Sequence, residues 1–388
     1  MVVIVDGSPL TLADVVAVAH CNADVEVGQE LARRMAPARA LVESIISNNE
    51  VAYGITTGFG ALSHTRIPAT QASELQYDLV RSHASGVGDL LKPPTVRAML
   101  LLRARTLAQG YSGARPVVVE RLVEFLRRDL LPAIPDRGSV GASGDLAPFA
   151  HLALPLVGEG FFLVDGRRVA AAGVLDAEGL LPIQLEPKEG LSLLNGTEGM
   201  LAQGCLAVHR ARLLADAADA ACALSVEALM GSSRPFEARV HQLRPHPGQI
   251  HSARVIAGLL DGSPIGASHK DDFSHRVQDA YSLRCAPQVH GSVRDTIENA
   301  ATVFERELGS VVDNPIVFAD DGDVISAGNF HGQPLALVLD FLAIAMTELG
   351  SISERWTDRI LDPERSCGLS PILAKRPGVA SGYILAQY

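Results

Sequence analysis

Residues 197–230 read TEGMLAQGCLAVHRARLLADAADAACALSVEALM. The stretch contains no proline, its glycines (Gly199 and Gly204) fall early, and alanine and leucine dominate the rest. Proline removes an amide donor and breaks a helix, whereas alanine and leucine are among the best helix formers. The stretch is therefore expected to form one helix about 50 Å long. Similar patterns over Gln288–Leu308 and Pro334–Arg359 predict two more long helices, and IVFADDGDVIS between them predicts a hairpin. Helices of that length exceed the diameter of a compact domain of this size. Their apolar faces are expected to pack in a bundle shared between subunits.

Upstream the pattern is mixed. Thr11 is placed to cap a short helix through His20, and helical spacing runs from Glu30 to Ile46 with Pro37 as a kink or break. YGITTGFGALSHT, with its glycines and hydroxyl residues, reads as a loop. Helices are expected over Gln71–Ala84, Pro94–Gly110 and Val117–Arg128, and FFLVDGRRVAA reads as a hairpin turning at Asp165-Gly166. The expected fold class is mainly α: a mixed α+β part over residues 1–195 carrying the active-site loops, and a long helical bundle over 196–388.

The totals narrow the function. With 388 residues, 47% of them hydrophobic, there is ample material for a core, and 5% aromatic content leaves alanine, leucine and valine to build it. A net charge of −11 offers no basic face to a nucleic acid. The amino terminus has no basic leader, and no uninterrupted apolar run reaches the roughly 18 residues of a membrane span. The most apolar segment, ALVLDFLAIAM, is interrupted by Asp340. Five cysteines, scattered and without CxxC spacing, read as reduced thiols in a cytoplasmic protein with no membrane partner.

The chemistry is expected in RGSVGASGDLAPFAHLALPL. Gly138, Gly141 and Gly144 free the backbone before a helix that starts at Asp145. Taken alone, this is a glycine-rich turn capped by Ser143 or Asp145; it lacks the Lys-Ser/Thr and the preceding strand of a phosphate-binding loop. A sharper reading starts from Ala142-Ser143-Gly144. The amide nitrogen of Gly144 has no side chain beside it and can approach the Ala142 carbonyl carbon. Cyclisation with loss of two waters then gives a methylidene-imidazolone, an electrophile that ordinary side chains cannot supply. The positive end of the following helix would increase its electron demand.

GSVGASGDLAPFAHLALPLVGEG resembles the signature of the aromatic amino acid ammonia-lyases, the histidine and phenylalanine enzymes. YGITTGFG, SHASGVG, LLNGTEG, VQDAYSLRC, DNPIVF and GNFHGQP follow in the family's order, from the first helix to the last residue. The resemblance implies an ammonia-lyase/fumarase-like fold, a homotetramer whose sites combine residues from several subunits, a small amino acid substrate, and the methylidene-imidazolone in place of pyridoxal phosphate or a metal. It implies that Tyr53 is the base, and a tyrosine serves as one at neutral pH only where positive surroundings stabilise its phenolate. Arg284 would grip the substrate carboxylate at two points, with Gln278 and Tyr281 beside it; three residues apart on a helix, Tyr281 and Arg284 share a face. Asn195, otherwise an N-cap, would help hold substrate and prosthetic group, and Phe330 would line the pocket. Ser82-His83 resembles the histidine-specific members, with the imidazole of His83 facing the substrate ring.

His241, His246 and His251 do not stack on one helical face, prolines interrupt the run, and no metal site is expected. Ala280, Ala286 and Val312 replace the Pro, Gln and Thr usual in the family. The chain ends at GYILAQY, inside a motif that the family continues with a glutamate contacting the imidazole. The expected activity is elimination of ammonia from L-histidine to give urocanate by a carbon–nitrogen lyase. The alternatives are a phenylalanine or tyrosine ammonia-lyase, an aminomutase, or a catalytically silent lyase-like assembly.

Overall fold

Val2–Val5 (β1) and Asp24–Val27 (β2) pair in parallel around α1 (Leu12–Cys21). A capping box starts that helix: the Thr11 hydroxyl accepts the Asp14 amide at 3.1 Å and the Asp14 carboxylate accepts the Thr11 amide at 2.9 Å. α2 (Leu31–Ser47) runs on through Pro37, so of the expected kink or break the break does not occur. Leu31, Met35, Ala38, Val42 and Ile45 bury one face on both sides of the proline, and that shared face favours a continuous helix. α3 (Ala72–His83), β3 (Val87–Leu90), α4 (Pro93–Ala108), α5 (Pro116–Arg127) and β4 (Pro135–Arg137) follow, with prolines opening α4 and α5. α4 is buried on every side from Val96 to Ala108, including Arg97, Arg103 and Arg105.

Beyond β4 come α6 (Leu146–Ala153) and the expected hairpin, β5 (Phe161–Val164) and β6 (Arg167–Ala170). Asp165 and Gly166 turn it with φ of 48° and 75°. The order continues through α7 (Ala171–Ala177), α8 (Glu189–Leu194), α9 (Glu198–Ala228), α10 (Ala238–Gln242), α11 (Pro247–Leu260), α12 (Pro264–Ser268), α13 (Tyr281–Arg284) and α14 (Ala286–Glu307). The second hairpin, β7 (Ile316–Phe318) with β8 (Asp323–Ile325), and α15 (Gln333–Leu361) complete it. The fold is mainly helical, and each sheet among the described residues has two strands.

The computed structural model describes residues 1–269 and 277–388, and they group into two compact units. One comprises Met1–Leu206 with Val303–Leu337, the other Ala207–Thr302 with Val338–Tyr388. α9, α14 and α15 each begin in one unit and end in the other, so a single cut at residue 195 does not reproduce the division. The first unit holds the four strand pairs found among the described residues.

The described elements of the second unit are helical. Cys222, Val226, Leu229, Phe236, Ile256, Leu283 and Trp356 form its core, and the Trp356 indole donates to Ser282 O at 2.7 Å. By length and composition α15 is apolar enough to cross a membrane, although it carries Asp340 and Glu348. Its Leu335, Val338, Leu342 and Leu349 are buried, while Leu337, Phe341 and Ile344 are exposed.

Candidate active site

Gly144 lies in a conformation that essentially only glycine adopts, φ 77° and ψ −161°. A Cβ built on it would sit 2.5 Å from Gly196 O and 3.1 Å from Phe330 O. The tripeptide is thus wedged between the turn leading into α9 and the loop leading into α15. Gly141–Ser143 forms a single 3₁₀ turn; the Ser143 amide donates to Val140 O at 2.7 Å, and Gly141 O accepts the Gly332 amide at 2.8 Å. Ala142 is exposed and Ser143 half-buried, so the face that would react is open while Gly144 behind it is enclosed.

Asp145 sits at the N-cap of α6 but does not cap it with its side chain, and the helix starts at Leu146. Its amide donates to Gly196 O at 2.8 Å. Its carboxylate accepts the Ser139 hydroxyl at 2.5 Å and the Met200 amide at 2.9 Å. The carboxylate therefore caps α9, whose own Thr197 hydroxyl is buried without a protein partner. Burial pushes the Asp145 pKa up, against the bonds from Ser139, Met200 and Gly199.

Asn195 ends α8 rather than capping α9, and its Nδ2 donates to Asn314 O at 2.8 Å. Two buried ion pairs brace this junction. Arg103 Nη1 donates to Ser192 O at 2.8 Å and Asn195 O at 3.3 Å, its Nη2 contacts the Glu198 carboxylate, and its guanidinium lies 4.8 Å from the centre of the Phe149 ring. Lys188 Nζ lies 2.9 Å from Asp313 Oδ2 and 3.1 Å from Ser192 Oγ. Burial lowers the Lys188 pKa while Asp313 opposes the shift. The sequence reading missed Arg103, Lys188, Glu198 and Asp313; the available signal was charge inside otherwise apolar runs such as AMLLLRARTLA.

Tyr53 is half-buried in the expected loop. Its hydroxyl accepts the Gly60 amide at 3.3 Å and its ring meets Phe59 edge-on at 6.4 Å. His83 ends α3, with Nδ1 at 2.9 Å from Leu79 O and 3.2 Å from Ser82 Oγ. The Leu79 carbonyl can only accept, so Nδ1 carries a proton toward it. The turn is tied down further by Arg81, which donates to the Glu159 carboxylate at 3.0 and 2.6 Å. His151 of α6 also holds it, its Nε2 accepting the Gly86 amide at 3.0 Å.

The structure brings the tripeptide, Gly196 and Phe330 into contact. Among the described residues, neither Tyr53 nor His83 hydrogen-bonds the tripeptide. In the second unit Tyr281 and Arg284 share α13, the guanidinium 4.6 Å from the Tyr281 ring centre, and Arg284 Nε donates to Asp279 O at 3.0 Å. Gln278 precedes the helix and is exposed. Gln278 and Tyr281 line a cavity of about 1050 Å³ that also includes Arg355 and Arg359. Among the described residues no group of three or more His, Cys, Asp or Glu side chains converges as a metal site. His241 is buried with Nε2 at 2.9 Å from Pro235 O and Nδ1 at 3.0 Å from Gln249 Nε2.

The family model "aromatic amino acid lyase" matches residues 10–388. The chain is 51% identical over 388 residues to a histidine ammonia-lyase of Gloeobacter violaceus, covering 99% of this chain and 74% of that protein. The solved structure of a tyrosine aminomutase from Streptomyces globisporus aligns with a TM-score of 0.95 at 41% identity, covering 100% of this chain and 76% of that one. A histidine ammonia-lyase from Trypanosoma cruzi aligns with a TM-score of 0.89 at 40% identity, covering 100% and 72%.

Proposed function

This chain belongs to the aromatic amino acid lyase family, and we propose that it eliminates ammonia from L-histidine to give urocanate. It is a carbon–nitrogen lyase. The observation that carries the chemistry is the wedged Gly144, whose backbone and surroundings admit no side chain beside the amide nitrogen that has to attack. The bond forms from that nitrogen to the Ala142 carbonyl carbon. One water takes the carbonyl oxygen with the amide hydrogens of Gly144 and Ser143; the other takes the Ser143 hydroxyl with its α-hydrogen. Residues 142–144 fit the resulting methylidene-imidazolone, which supplies an electron-accepting carbon for the substrate amine.

The protein's own side chains do the rest. Tyr53 takes the proton from the carbon beside the substrate ring, a task for a well-placed base. Arg284 holds the carboxylate with Gln278 and Tyr281 beside it; Asn195 and Phe330 hold the substrate against the tripeptide. In its neutral form His83 accepts a hydrogen bond from the substrate imidazole through Nε2, because Nδ1 keeps its proton toward Leu79 O. The exposed Leu337, Phe341 and Ile344 on α15, with Leu213, Leu214 and Leu224 on α9, fit burial in a homotetramer. The scattered cysteines, none in CxxC spacing, fit a cytoplasmic setting.

The likeness to a tyrosine aminomutase favours a second reading, elimination from or amine migration on phenylalanine or tyrosine. Rates on the three amino acids, with a search for β-amino products, decide between them. Urocanate formation far above any cinnamate or coumarate formation is the expected result. A preference for tyrosine or phenylalanine would refute the histidine assignment, and a dehydrated chain releasing no ammonia from any of the three would point to a silent assembly.

A further inference from the structure

The Arg103–Glu198 ion pair takes no part in the reaction as written, yet Arg103 is 0% and Glu198 1% exposed. Burying two charges forfeits hydration that their pairing only partly returns, so such a pair is a poor device for stability alone. Its placement suggests another use. Arg103 reaches from α4 to the carbonyls of Ser192 and Asn195, at 2.8 and 3.3 Å, and meets the carboxylate of Glu198 at the start of α9. Its guanidinium plane also lies against Phe149, on the helix that follows the tripeptide. One side chain therefore touches the segment that walls Gly144 on the α9 side and the helix that follows the tripeptide.

Gly196 is the link. A Cβ on it would lie 1.8 Å from Arg103 Nη2 and 2.2 Å from Glu198 Oε2, so its backbone rests directly on the pair. Its carbonyl lies on the other side against Gly144 and accepts the Asp145 amide at 2.8 Å. Close contact thus runs from the pair through Gly196 to Gly144, with no side chain between to absorb a shift. We propose that Arg103, held by Glu198, is the positioning residue that presses Gly196 against Gly144 and so sets the tripeptide for dehydration. A lysine cannot do the same, because one ammonium lacks the planar fork that serves two carbonyls and a carboxylate together.

The inference rests on the reading that Ala142-Ser143-Gly144 dehydrates, and the test separates the two. Newly synthesised wild-type chain, Arg103→Lys and the double variant Arg103→Met with Glu198→Met are followed by intact mass over time, with thermal melting alongside. The double variant leaves no charge buried and keeps side chains of useful volume, and the lysine variant keeps the charge beside Glu198. Loss of two waters is expected to slow at least tenfold in the double variant and by an intermediate factor in the lysine variant, in protein that still melts cooperatively. Dehydration at the wild-type rate in either folded variant would overturn the inference alone. A wild-type chain that keeps its full sequence mass would remove the underlying reading and this inference with it.

Discussion

Replacing Gly144 with alanine tests the geometry of the site at its tightest point. The conformation at φ 77° and ψ −161° carries a backbone penalty of about 1–3 kcal/mol for any residue with a Cβ. The new methyl would also lie 2.5 Å from Gly196 O and 3.1 Å from Phe330 O. Neither is the free end of a side chain: the first is a carbonyl backed by Arg103 and Glu198, the second belongs to the loop tied to the tripeptide by the Gly332 amide. Overpacking of this kind costs about 1–3 kcal/mol more, giving a total of roughly 2–6 kcal/mol. For a unit of roughly 150–250 residues that lowers the melting temperature by at least about 4 °C. Thermal melting and intact mass are read on the same preparation, and the alanine chain is expected to melt lower and to retain both waters. An unshifted melt together with complete dehydration would refute the argument that this position is wedged.

Three further outcomes follow from individual side chains. Tyr53→Phe removes the proposed base without touching the tripeptide, so intact mass should match the wild-type chain while turnover falls by about 10²–10⁴; near-wild-type turnover would assign the base elsewhere. His83→Leu removes the acceptor facing the substrate ring, and kcat/KM for histidine should fall by at least about tenfold relative to that for phenylalanine; an unchanged ratio would move specificity to another residue. His151 must be neutral to accept the Gly86 amide, and burial, helped by Arg168, holds its pKa below the ordinary histidine value. A depressed folded-state pKa means that the contribution is present above the unfolded value of about 6.5 and is lost as pH falls through the lower folded value. The wild-type melting temperature should therefore drop more steeply below about pH 6.5 than that of His151→Gln, whose amide oxygen can accept the same bond without titrating. Parallel profiles would discount that role.

Much of this architecture is legible in the sequence because single segments specify it. The proline-free run after Asn195 becomes α9, Asp165-Gly166 turns its hairpin, and Thr11 with Asp14 forms the capping box. What stayed hidden depends on partners distant along the chain. β1 pairs with β2 across a helix and β3 with β4 across two, in strands too short to show alternation. Pro37 passes for a break until the buried face on both sides of it is seen. At the site, Ala142-Ser143-Gly144 announces itself by composition, but Asp145 reads as the cap of its own helix and instead caps α9, 55 residues away at Met200. Arg103 is 95 residues from Glu198, a separation at which no local pattern can couple them.

Intact mass of the purified wild-type chain tests the central claim most directly. A methylidene-imidazolone formed from Ala142-Ser143-Gly144 makes the chain lighter than its sequence by two water molecules, and Ser143→Ala cannot lose the water that comes from the serine hydroxyl. The deficit is expected in the wild-type chain and its second water absent in the variant. A wild-type chain at full sequence mass that still releases ammonia from histidine would contradict the account.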